Sequence, residues 1–184
     1  MENPGEELAG SYLSKILGCS FVAFNLDTGV KQGEMDVVGI NLNTNTVYFC
    51  EVAIHLLGLQ YVDPKNAQPD NVNRFLKKFE NSISYAKKNF PEYQHVFMLW
   101  SPIVRISRET SMHNQMKDIE SIQNEIKQKY SIDLEIIINE KFLDCISKLR
   151  KIAKEETKEI KTPIMRFLQI EERLKMHVAK LNKS

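Results

Sequence analysis

Residues 34–55 read Glu-Met-Asp-Val-Val-Gly-Ile-Asn-Leu, then Asn-Thr-Asn-Thr, then Val-Tyr-Phe-Cys-Glu-Val-Ala-Ile-His. Two β-rich segments, 34–42 and 47–55, flank a run of turn-forming residues, and this pattern predicts a hairpin. Residues two apart on a strand share a face. Glu34 and Asp36 therefore point one way on the first strand, while Glu51, Ala53 and His55 share a side of the second, so two carboxylates can converge. Carboxylates side by side in a half-buried sheet disfavour each other's charge. A divalent cation removes that conflict, and hard oxygen ligands suit magnesium or manganese. Aspartate is also a poor strand former, and such a clash between residue and position is a mark of functional sites.

Around the hairpin the chain alternates helix and strand signals. Asn3-Pro4-Gly5-Glu6 reads as a helix start, with Asn at the N-cap, Pro in the first turn and Glu placed to reach back to a free amide. That helix is expected to run to about Leu17, and Cys19 to Leu26 is expected to form a strand. Residues 58–69 carry Gly, Asp, Pro and Asn without periodicity, and a loop this long inside a compact domain is often functional. Val72, Phe75, Leu76, Phe79, Ile83 and Ala86 recur at helical spacing. Gln94 to Trp100 reads as a buried strand, Met112 to Lys129 as a helix and Ile132 to Ile138 as a last strand. Helical patterns follow over 141–160 and 163–182, the second with Pro163 in its first turn. The expected order, α-β-β-β-α-β-α-β-α-α, predicts an α/β fold with a mixed central sheet, a core over 1–139 and a C-terminal helical extension of the same domain over 140–184.

Composition narrows the function classes. No apolar run approaches the length of a membrane span, and the N-terminal residues lack the basic-then-apolar order of a secretion signal. Cys19, Cys50 and Cys145 are widely separated and odd in number, so no disulfide framework is implied and a cytoplasmic location is expected. The four histidines and the cysteines share no zinc-ligand spacing, and no Gly-rich loop ends in Gly-Lys-Ser/Thr. A net charge of +1 gives no electrostatic argument by itself. Its distribution is uneven: residues 140–184 carry 12 Lys and Arg against 7 Asp and Glu, the rest 13 against 17. A Lys/Glu-rich helix is most often a solvated face.

Gly5-Glu6-Glu7-Leu8-Ala9 with Tyr12-Leu13, Gln32-Gly33-Glu34-Met35-Asp36-Val37-Val38, and Val47-Tyr48-Phe49-Cys50-Glu51-Val52 together resemble the Holliday-junction-resolvase-like branch of the PD-(D/E)XK nucleases. The resemblance covers roughly the first 55 residues, and the element order continues that family's α-β-β-β-α-β core. It implies a restriction-endonuclease-like fold and a metal-dependent DNA endonuclease, in restriction, repair or anti-phage defence. It also implies that Glu6, Asp36 and Glu51 are catalytic, that Asp36 and Glu51 hold magnesium or manganese near the scissile phosphate, and that a homodimer is a plausible assembly.

The chain departs from the family pattern at Ala53, where the motif has a lysine that positions the attacking water and stabilises developing charge. Some family members place that cation on the following helix, which here offers Arg74, Lys77 and Lys78. Lys78 lies nearest the edge of the apolar stripe and is the expected substitute, ahead of Lys31 and His55. Plainer readings stand beside these. Glu6 also fits as a capping residue alone, and Glu34 as a sheet-end acceptor. The missing lysine motivates a second hypothesis, a catalytically silent nuclease-fold module that binds nucleic acid or a protein. A third is an unrelated α/β interaction domain.

Overall fold

Asn3 opens helix α1 (Pro4–Lys15) with a full capping box, its side chain accepting from the amides of Gly5 and Glu6 while Glu6 returns to the Asn3 amide. The computed structural model describes residues 3–29, 33–108 and 114–182. Strands β1 (Phe21–Asp27), β2 (Glu34–Asn41) and β3 (Thr46–Val52) follow, then helix α2 (Asn71–Asn89), β4 (Gln94–Ser101), α3 (Gln115–Tyr130), β5 (Glu135–Ile138), α4 (Asn139–Glu155) and α5 (Pro163–Leu181). The order and type of these ten elements are those the sequence predicts. Boundaries move where capping or pairing decides them. Helix α3 begins after Asn114, whose side chain accepts from the Lys117 amide, while the expected start at Met112 lies outside the described residues.

The five strands form one mixed sheet in the order β1-β2-β3-β4-β5, antiparallel across the first two junctions and parallel across the last two. Each parallel step is made through a helix, as parallel pairing requires. Helices α2 and α3 cover one face, over a core that includes Phe49, Phe75, Phe79, Phe97, Leu99 and Ile122. Helices α1, α4 and α5 lie on the other, around Leu13, Val37, Met98, Trp100, Leu149 and Met165. Glu7 of α1 accepts from the Ile164 amide at 2.7 Å and so caps the start of α5. The run Phe97-Met98-Leu99-Trp100 is fully buried core strand, and the three cysteines are buried and unpaired.

One irregularity positions everything that follows. Val22 and Phe24 of β1 face α1, but Leu26 faces α2; on β2, Val37 faces α1 and Met35 faces α2. Regular alternation would put residues two apart on one face. The break falls at Asn25, which takes a left-handed φ of 50°, and at Asp36, between the paired positions Phe24↔Val37 and Leu26↔Met35.

Candidate functional site

The ladder between β2 and β3 ends at Val37↔Cys50. Continued by one step it would set Asp36 opposite Glu51. Instead the strands part, and the Asp36 carboxylate takes the place of a backbone acceptor: its Oδ2 receives the Val52 amide at 2.6 Å. Glu51 keeps the regular alternation of β3 and points with Phe49 and Ala53 toward α2. Helix α2 closes the gap from above. Its apolar stripe of Phe75, Phe79, Ile83 and Ala86 is buried against the sheet, so Lys78, at the stripe's edge, extends into the space between the two carboxylates.

Lys78 Nζ lies 2.5 Å from Glu51 Oε2 and 3.0 and 3.1 Å from the two Asp36 oxygens. Ser82, one turn further along α2, donates from Oγ to Glu51 Oε1 at 3.2 Å. The side chain of Glu51 is 2% exposed, that of Asp36 14% and that of Lys78 24%. Burial pushes the Glu51 carboxyl up to about 8, with the Asp36 charge adding to the rise and Lys78 opposing it. Burial works against the Lys78 ammonium, but Glu51 and Asp36 outweigh it and hold its pKa above the ordinary lysine value.

Each ion taken from water into such a site costs several kcal/mol, and the attraction between them offsets this only with good geometry. A buried cluster of this kind is therefore a poor device for stability, and perturbed carboxyls in such clusters are common at functional sites. Three carboxylate oxygens from two strands converge on a point that already holds a cation, the ammonium. Their donor chemistry fits a hard divalent ion, which would take the position only as the Lys78 ammonium gave up those oxygens. Among the described residues no group of three or more His, Cys, Asp and Glu side chains gathers as a metal site. Asp36 and Glu51 are thus the protein oxygens that would hold such an ion.

The other sequence candidates engage different partners. The Glu6 carboxylate is engaged by the cap, accepting from the Asn3 amide and side chain, and it reaches Asn25 Nδ2 at 3.5 Å. Glu34 is exposed at the sheet end opposite Asp27. The His55 ring packs edge-on against Tyr61 at 5.3 Å, and the Arg74 guanidinium lies over the Tyr61 ring at 4.4 Å. Lys31 lies outside the described residues. Ser82 was not among the sequence candidates. Its signal was its spacing, four residues beyond Lys78 and therefore on the same side of α2.

Compared with protein-family models and with curated proteins, the chain matches none.

Proposed function

We propose that the protein is a metal-dependent nuclease that hydrolyses DNA phosphodiester bonds on a restriction-endonuclease-like scaffold. The observation that carries this reading is the meeting of Asp36, Glu51 and Lys78, two carboxylates from neighbouring strands and a cation from the next helix, at 2.5–3.1 Å. The α-β-β-β-α-β order of the first six elements adds support. A magnesium or manganese ion held by Asp36 and Glu51 would polarise a phosphodiester oxygen. Lys78 supplies the cation that Ala53 cannot, and stabilises the negative charge that develops as the bond breaks. Glu6, which the resemblance implies as catalytic, stands in the helix cap and beside Asn25, at the break in the sheet. Cutting both strands of a duplex calls for two such sites, hence a homodimer.

The same lysine favours a second reading. With Nζ against both carboxylates, Lys78 neutralises the pair internally and leaves a silent nuclease-fold module that needs no ion. Incubation of supercoiled, linear, single-stranded and branched DNA with magnesium or manganese separates the two. The nuclease reading expects metal-dependent cutting that Asp36→Asn abolishes and that Lys78→Gln lowers by roughly 100- to 1000-fold, with folding checked by circular dichroism. Wild-type protein that leaves every substrate uncut with either metal establishes the silent module instead.

A further inference from the structure

The segment 58–69, a loop by sequence, is folded back on itself. Val62 and Pro69 form a β-bridge, the Asp63 amide donates to the Gln68 carbonyl at 2.9 Å, and the Asp70 amide donates to the Tyr61 carbonyl at 2.8 Å. Asn71 ties the base of this flap down: its Oδ1 accepts from the Tyr61 amide at 2.9 Å, and its Nδ2 donates to Asp118 of α3 at 2.8 Å. The tip, residues 64–68, is exposed.

Between the flap and α2 runs a cleft of about 420 Å³, with Pro64 on one wall and Asn73, Arg74, Lys77 and Lys78 on the other. Asp70 also lines it, with its Oδ1 engaged by Asn73 Nδ2 at 2.8 Å. Arg74, Lys77 and Lys78 stand three and four positions apart, which places them as neighbours on one side of the helix. The innermost of them is the lysine that touches Asp36 and Glu51, so Lys78 joins the cleft to the carboxylates.

Its chemistry selects the ligand. Three cations in a row suit successive phosphates, and arginine adds a planar fork for phosphate oxygens. No stacking surface accompanies them at Tyr61, whose ring is covered by Arg74 on its face and packed edge-on by His55 and Phe75. Recognition through charge without a free aromatic face reads the backbone and leaves the bases unread.

We propose that the cleft between the 61–70 flap and α2 seats the sugar-phosphate backbone of one nucleic-acid strand through Arg74 and Lys77, delivering it to Lys78. This rests on the nuclease-fold reading for the identity of the adjoining site. It stands or falls separately, because it concerns binding without metal or cutting.

Fluorescence anisotropy with a labelled oligonucleotide, in EDTA and across a salt series, tests it on the full chain. The Arg74→Gln/Lys77→Gln double variant is compared with Lys151→Gln/Lys154→Gln, a charge-matched change on exposed residues of α4, on the opposite side of the sheet. The α2 variant is expected to weaken single-stranded binding and lower the slope of log K against log salt by about 0.7 per cation removed. The α4 variant is expected to bind as wild type does. Equal weakening by both variants, unchanged binding by the α2 variant, or no binding by wild type each overturns the proposal. DNA left uncut with metal, with binding still lost in the α2 variant alone, removes the nuclease reading and leaves the cleft assigned.

Discussion

Two charge clusters of similar make-up occupy different surroundings in this molecule. One joins Asp36, Glu51 and Lys78 under α2; the other joins Arg150 of α4 with Glu171, Glu172 and Lys175 of α5, with contacts of 2.7–3.6 Å. In the second, the Lys175 ammonium holds the Glu171 carboxyl below its usual range, as a solvated partner should. In the first, a lysine at 2.5 Å fails to do the same for Glu51, because burial acts more strongly than the ion pair. The number of ion pairs therefore says little about either cluster. What separates the two carboxyls is water, which Glu171 keeps and Glu51 has lost.

The largest way to break this comparison is to remove the lysine from each cluster. Lys78→Met leaves the half-buried Asp36 carboxylate, beside the buried Glu51 carboxyl, without a counter-charge. Since a quarter of Lys78 is exposed, the low end of the range for breaking a buried pair applies, a loss of about 3 kcal/mol by urea denaturation at neutral pH. A midpoint that does not move would mean that solvent reaches the carboxylates freely.

The next effect is a pH dependence. Glu51 titrates near 4.5 when unfolded and near 8 when folded, so between those values the native state holds the extra proton. Stability from this group is present in full below about 4.5 and is lost as pH rises through about 8. Glu51→Gln, which keeps an oxygen for Ser82 to donate to, is expected to flatten that decline in a series of urea titrations. The smallest effect is expected from Lys175→Met, whose own side chain is 55% exposed and whose partner Glu172 keeps Arg150: its thermal midpoint should match wild type, as exposed pairs usually contribute little. A clear fall there would erase the contrast between the clusters.

Much of the site was legible because it is built from periodicities. Asp36 and Glu51 share a hairpin by spacing alone, while Lys78 is reached through the family resemblance, which points to the following helix, and through its place at the edge of that helix's apolar stripe. Element order was legible for the same reason, with caps such as Asn3 and turn residues such as Asn43 marking the joints. The break at Asn25 and Asp36 was not legible, because nothing in the local pattern says that a strand will stop alternating; the turn of Asn25 to a positive φ is decided by its surroundings. Glu6 shows the converse. Its spacing from Asn3 satisfies the capping box, and that local interaction takes the carboxylate whether or not a site lies nearby. The folded flap was hidden too, since its hold comes from Asn71, whose link to Asp118 spans 47 residues.

The interrupted alternation sets a limit on transplantation. A designer copying the acidic hairpin into another scaffold by sequence would carry over residues 34–52 and obtain a regular two-stranded ribbon, with Met35 and Val37 on the same side and the Val52 amide paired to backbone. In this chain Asp36 accepts that amide where the alternation of β1 and β2 breaks together, at Asn25 and Asp36. The smallest transferable unit is therefore three strands, with the residue that bends the outermost one included.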